Sequence, residues 1–269
     1  MIRTNLMNRM TRMTRMTRGT RHLVAAAASG AAIFVGGAAT AELAGIEATR
    51  NATLYESPTG ALANGAGEWF FTGMNNQGLR RRGLVLFDLE AFAESVAGQQ
   101  VAIHGVSVRL NLTQGAGTPT TVSMHRLFAD WGEGDSDASG NEGGGAAATP
   151  GSATWLHTFS DTSFWSTPGG DFAANSSGTF AMEAAGTYTF SSEGLRQDVL
   201  AWLDDPSSNF GWMLLGDESQ FGTARRFDSR RFGDAATRPL LEIDYSVVPA
   251  PAVAAMLSLG GVLARRRRR

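Results

Sequence analysis

An acidic, glycine-rich segment at residues 130–145 carries the residue types best suited to binding an ion. Asp135, Asp137 and Ser139 place side-chain oxygens at alternate positions and Gly140 follows, as in the first half of an EF-hand loop. The twelfth position holds Ala146 instead of the bidentate glutamate, so the segment is not an EF-hand. A looser calcium site would use four carboxylates of the segment, those of Asp130, Asp135, Asp137 and Glu142. A solvated surface loop is the alternative that we favour.

Tryptophans in loops are candidates for sugar binding, because sugar rings stack on exposed aromatic faces. Trp131 and Trp165 are the two that we expect to be exposed and able to stack on a glycan. The other four fall within strand, helix or apolar patterns typical of a core: Trp69, Trp155, Trp202 and Trp212.

No spacing in the chain is typical of a catalytic site. Paired carboxylates can hydrolyse a glycosidic bond, but 25 acidic residues make chance pairs certain. His125, Arg126 and Tyr188 are the residue types of a β-eliminating lyase, yet no spacing links them. The sequence has no nucleophile elbow, phosphate loop or zinc motif. We therefore predict a protein that is not an enzyme, with a secreted polysaccharide-degrading hydrolase or lyase as the alternative.

Charge is distributed unevenly along the chain. All 25 acidic residues lie within residues 42–248 but only 12 of the 23 basic residues do, so this part carries a formal charge of −13. Such a charge argues against nucleic acid as a partner. The densest basic patch, residues 225–231, is expected to form ion pairs along a strand edge. There is no cysteine, so stability must come from the core.

The elements that must position these side chains are mostly strands. Alternating apolar residues at 106–112 predict a half-buried strand, and residues 84–89 predict a strand buried on both faces. Further strands are predicted at residues 120–128, 186–190, 210–215 and 240–245. One helix is predicted from a cap at Ser191 or Ser192 to Asp205, and residues 91–96 suggest a second short turn of helix. The fold class is all-β, a jelly-roll-like antiparallel β-sandwich of residues 42–248 with one short α-helix.

Both ends of the chain predict targeting segments. Residues 1–41 combine six arginines, an apolar stretch and the A-x-A site Ala39-Thr40-Ala41 before Glu42, as in a secretory signal peptide. The repetitive basic region also allows a later start, for example at Met16. Residues 249–269 combine a proline pair, 13 apolar residues and five arginines. An apolar helix of that length is short for a permanent span of the hydrocarbon core.

The tail resembles the PEP-CTERM sorting signal. The matching residues are Val248, Pro249, Pro251, the apolar stretch 252–264 and the arginines that begin with Arg265 and Arg266. Ala250 stands where the family has glutamate. The resemblance implies transient membrane anchoring, processing by an exosortase-like enzyme, and a final location at the cell surface or outside the cell.

Residues 42–248 resemble the DNRLRE-type domains of secreted bacterial proteins. The resemblance rests on the order of segments such as RRGLVLFDL at 81–89, HRLFADWGEG at 125–134 and DVLAWL at 198–203. Further matching segments are residues 53–56, 64–67, 153–155, 168–172, 209–214, 226–230 and 238–241. The resemblance implies a jelly-roll-like sandwich of the kind found beside carbohydrate-active modules and on cell surfaces. We therefore predict an exported, non-catalytic protein that is structural or binds extracellular polysaccharide.

Overall fold

A computed structural model describes residues 40–115 and 118–248. The predictions about Ala39, Pro249, Pro251, Arg265 and Arg266 lie outside the described residues. Within these residues the strands are β1 (Ala41–Tyr55), β2 (Leu62–Ala63), β3 (Trp69–Met74), β4 (Arg80–Phe87), β5 (Gln100–Gln114), β6 (Thr120–Arg126), β7 (Ala146–Ala147), β8 (His157–Phe159), β9 (Ser163–Phe164), β10 (Gly178–Met182), β11 (Gly186–Ser191), β12 (Trp212–Leu215), β13 (Arg225–Asp228) and β14 (Leu240–Val248). The helices are α1 (Glu90–Ser95) and α2 (Glu193–Asp204), with 3₁₀ turns at Pro206–Ser208 and Ala235–Thr237.

The long strands form two layers that are joined by β1 and also by β3, which pairs with β13 in one layer and with β4 in the other. In one layer, the first half of β1 pairs with β14, β14 pairs with β5, and β5 pairs with β11 and β13. Strand β13 pairs in turn with β3. In the other layer, the second half of β1 pairs with β4, followed by β12, β6 and β10. A register shift between Ala48 and Arg50 marks the bulge at which β1 changes layer.

The described strands pair antiparallel throughout, which confirms the all-β prediction. Val106, Val108 and Leu110 of β5 are buried, as the period of two predicts. Strand β4 is buried on both faces, because Val85 and Leu84 belong to different apolar clusters. The larger cluster lies between the layers and receives side chains from both helices. The smaller one lies under residues 127–172, on the opposite face of β4.

Helix α2 begins where the sequence predicts. The Ser192 hydroxyl accepts a hydrogen bond from the Leu195 amide at 3.1 Å, which caps the helix, and Pro206 follows its end. Val199 and Trp202 are buried against the sheets. The second short helix suggested at residues 91–96 also forms, as α1, and it buries Phe92, so the described residues contain two α-helices where the fold class names one. No helix in residues 40–115 or 118–248 has the length and apolarity needed to cross a membrane.

The predicted ends of the sandwich coincide with strand ends. Ala41 and Glu42 begin β1 and lie opposite Ser246 and Tyr245 of β14. The Tyr245 hydroxyl donates to the Glu42 carboxylate at 2.9 Å. Cleavage between Ala41 and Glu42 would therefore leave nearly the whole of β1 in the sheet.

Candidate functional site

A groove of about 780 Å³ opens at one end of the sandwich. It lies between the β3–β4 turn, the segment after β1, the end of β5 and two loops near residues 143 and 222. Four of its lining residues carry side-chain amides, Asn75, Asn76, Gln77 and Gln114. A smaller pocket of about 180 Å³ continues the groove, because Asn75, Arg81 and Gln114 line both.

The β3–β4 turn is built by the Asn75 side chain. Its Oδ1 accepts hydrogen bonds from the amides of Gln77 and Leu79, both at 2.9 Å. Gly78 has a φ of +78°, a left-handed conformation that a side chain would strain. A Cβ at Gly78 would also approach the ring of Phe221 to 2.8 Å. The turn therefore holds Asn76 and Gln77 exposed at the groove and places Phe221, 73% exposed, beside them.

The groove contains one carboxylate among its described lining residues, that of Glu56. Its two oxygens accept hydrogen bonds from Arg80, from Nε at 2.9 Å and Nη2 at 2.7 Å. These bonds hold the pKa of Glu56 below its ordinary value. Glu56 is therefore an ionised partner of Arg80 rather than a proton donor.

Arg81 reaches from β4 to the place where groove and pocket join. Its Nε donates to the Gly143 carbonyl at 3.1 Å, and its Nη1 donates to the carbonyls of Glu56 and Arg80. The guanidinium lies 4.9 Å from the centre of the buried Tyr55 ring. Burial lowers the pKa of Arg81 and raises the pKa of Tyr55.

Arg225 and Arg226 of β13 complete the wall of the smaller pocket. Arg225 is 1% exposed and donates to three carbonyls of the described chain, those of Thr223, Ala224 and Thr118. Its Nε has no hydrogen-bond partner among the described residues. Arg226 lies 4.1 Å from the centre of the Trp69 ring and donates to the Thr113 hydroxyl at 3.2 Å.

The predicted calcium residues do not converge. Asp130 forms an ion pair with Arg50 at 2.8 Å. Glu142 faces inward, and its carboxylate accepts from the Asn64 side chain at 2.8 Å and from the amides of Glu68 and Trp69 at 3.1 and 3.0 Å. Asp135 and Asp137 remain exposed. Across the described parts of the chain, no three acidic or histidine side chains are grouped as metal ligands.

The prediction that Trp131 and Trp165 are exposed is wrong. Their side chains are 0% and 4% exposed and belong to the smaller apolar cluster. Each indole NH donates to a carbonyl at 2.9 Å, Trp131 to Phe210 and Trp165 to Thr154. Because residues 127–172 fold back over the sheet, these rings cover β4 and are not free to stack on a sugar.

The basic patch was predicted to lie at a sheet edge. This prediction is wrong, because β13 lies between β5 and β3. Its ion pairs are confirmed for Arg230 and Arg231, which share the buried carboxylate of Glu133. Arg225 and Arg226 form no ion pair with the carboxylates of the described residues.

The groove was not predicted from the sequence, although the run Asn75-Asn76-Gln77-Gly78 is a recognisable turn rich in hydrogen-bonding side chains.

Scans against protein-family models and against curated proteins find no match to this chain.

Proposed function

We propose that the protein is an exported, non-catalytic, jelly-roll-like β-sandwich that binds carbohydrate in the groove beside the β3–β4 turn. The observation that carries the proposal is the groove itself, with side-chain amides along its wall and an exposed phenylalanine, Phe221, next to it. Amide groups both donate and accept hydrogen bonds, as sugar hydroxyls do. An exposed aromatic face adds stacking for the apolar side of a sugar ring.

Binding fits this lining better than hydrolysis does. A glycosidase uses two carboxyl groups across the scissile bond, whereas the described lining of the groove offers Glu56 alone. Tyr55, the tyrosine next to Arg81, is buried and donates to the Glu142 carbonyl at 3.0 Å, so it is poorly placed as the base of a lyase.

The resemblance of the two chain ends to targeting segments supports export and sorting. In this proposal residues 1–41 direct secretion, and residues 249–269 anchor the protein until an exosortase-like enzyme removes them. The sandwich then acts at the cell surface or in the extracellular matrix. Extracellular polysaccharide is the partner that the groove would meet there.

The test is binding of the full-length protein, purified in mild detergent, to an array of glycans. Phe221→Ala should weaken binding about fivefold, because an aromatic stack contributes on the order of 1 kcal/mol. Phe164→Ala is the matched control, because Phe164 is 69% exposed and does not line the groove. Equal loss with both variants, or release of shortened sugar products by the protein, would contradict the proposal.

A further inference from the structure

The smaller pocket collects positive charge in an acidic domain. Arg81, Arg225 and Arg226 all line its 180 Å³. No carboxylate oxygen of the described residues lies within 4.0 Å of their guanidinium nitrogens, and every acidic residue of the chain lies in the described part. The ion pairs of the described residues are formed by other arginines.

Uncompensated buried charge is costly, so it needs a physical reason. Arg81 is 4% exposed and Arg225 is 1% exposed. Their carbonyl partners satisfy hydrogen bonds but carry no net charge. Burial lowers the pKa of both groups, and the carboxylates of Glu56 near Arg81 and Asp217 near Arg225 offset this only in part.

Donor groups also remain free in this pocket. Nη2 of Arg81 makes no hydrogen bond to another described residue. Nε of Arg225 also lacks a partner in the same part of the chain, but it is fully buried, so it adds to the cost of burying the charge and is not a donor to the pocket. Gln114 and Asn141 add amide donors to the lining. A planar anion with two or three oxygens would pair with such donors and restore the charge balance.

We propose that this pocket binds the anionic substituent of an acidic polysaccharide, a carboxylate or a sulfate group, while the adjoining groove holds the neighbouring sugar units. The inference rests on the proposed carbohydrate-binding function and names the class of glycan. The net charge of the domain is negative and by itself would repel such a polymer. Short-range pairing with the arginines of the pocket outweighs that repulsion, because salt screens distant charges far more than charges in contact.

The test uses polymer pairs that differ in charge. The full-length protein in mild detergent is titrated with polygalacturonate and with its methyl ester, which keeps the sugar and removes the charge. Dextran sulfate and dextran form the second pair, so that the two arms separate carboxylate from sulfate. We expect at least one charged polymer to bind about tenfold more tightly than its neutral partner, since one charge-assisted contact is lost in the latter.

Variants test whether the preference for charged polymers arises at the pocket. Arg81→Gln and Arg226→Gln should each remove most of the preference for the charged polymer, and Arg81→Lys should keep part of it because the charge remains while the planar fork is lost. Arg109→Gln is the matched control, since it makes the same charge change on β5 outside the pocket. Should Arg81→Gln fail to fold, Arg226→Gln and the polymer pairs still decide the question.

The outcomes separate the two proposals. Equal affinity for charged and neutral polymers would overturn the anionic site and leave carbohydrate binding in place. A charge preference that survives Arg81→Gln and Arg226→Gln would overturn the assignment to this pocket. Failure to bind any polymer or arrayed glycan would overturn both.

Discussion

Two groups of arginines near opposite ends of β13 differ in their partners. Arg230 and Arg231 share the carboxylate of Glu133, which is 8% exposed, at the loop that covers β4. Arg81 and Arg225 are more deeply buried, yet among the described residues they donate only to carbonyls. The first group has a carboxylate partner within the protein, whereas the second has none in direct contact and lies beside an open groove.

The difference separates a structural role from a binding role. A buried ion pair with all its hydrogen bonds made fixes the position of a loop and has nothing left to offer a ligand. Arginines without a counter-charge reduce stability by themselves, and functional sites are where proteins retain such groups. We therefore expect changes in the covering loop to affect stability and changes at the groove to affect binding.

The largest effect on stability is expected from Trp131→Ala. The ring is fully buried, lies under Arg50 at 5.1 Å, and donates to the Phe210 carbonyl. Its loss should lower the free energy of unfolding by about 4 kcal/mol, as for other buried aromatic residues. Urea unfolding measures this change. If stability were unchanged while glycan binding was lost, the ring would be a binding residue after all and the division of roles would be wrong.

Glu133→Gln should have the next largest effect. The carboxylate accepts from Arg230 Nε at 2.7 Å and from the backbone N–H of Asn51 at 2.9 Å, so the variant leaves two arginines without a counter-charge. We expect a loss of about 2 kcal/mol, below the range for breaking a fully buried pair, because the carboxylate is buried but both arginines remain partly in water. Asp135→Asn, in the same loop but exposed, is the control and should leave the urea midpoint unchanged. Equal stability of both variants would mean that the pair contributes nothing.

The sequence predicts regular elements better than it predicts the covering loop. The period of two on β5 and the Ser192 cap on α2 are local patterns, so both elements are confirmed. Trp131 was misplaced because its burial depends on contacts with Phe210, 79 positions away. Glu133 and Arg230 are 97 positions apart, and no single-sequence pattern reports such a pair.

The groove was not predicted from the sequence for a similar reason. Asn75 shapes a turn, and its own spacing from Gly78 is visible in the sequence. The pocket beside it needs Arg81 from β4 and Arg225 from β13, which only the pairing of β3 with both strands brings together. The expectation that residues 225–231 lie at an edge failed because β13 has a partner on each side. Chain order alone does not give strand order.

A smaller effect is expected at the rim of the groove, from the Glu56–Arg80 pair. The pKa of Glu56 is lowered in the folded protein, mainly by the hydrogen bonds from Arg80, so the pair adds stability at neutral pH. This contribution is lost as the pH falls from about 4.5, the ordinary value, through the lower pKa of the folded state. Glu56→Gln should therefore lower Tm by about 2 °C at pH 7 and by less at pH 3.

Thermal unfolding at several pH values checks this, with Glu47→Gln as the control, since Glu47 is exposed on β1. A difference between Glu56→Gln and the parent protein that grows on acidification would reverse the expected sign. It would mean that the protonated carboxyl, rather than the ion pair with Arg80, stabilises this rim.

The smallest effect is expected from calcium. Asp130 is held by Arg50, and the three donors on Glu142 already satisfy its carboxylate, so Asp135 and Asp137 alone remain exposed. Calcium takes six to eight oxygen ligands, and two flexible carboxylates of an exposed loop compete poorly with water for it. Millimolar calcium or a chelator should therefore leave Tm unchanged, because a ligand stabilises the folded state only in proportion to its occupancy. A rise in Tm with calcium that disappears in Asp137→Asn would place an ion in the covering loop and give it a binding role of its own.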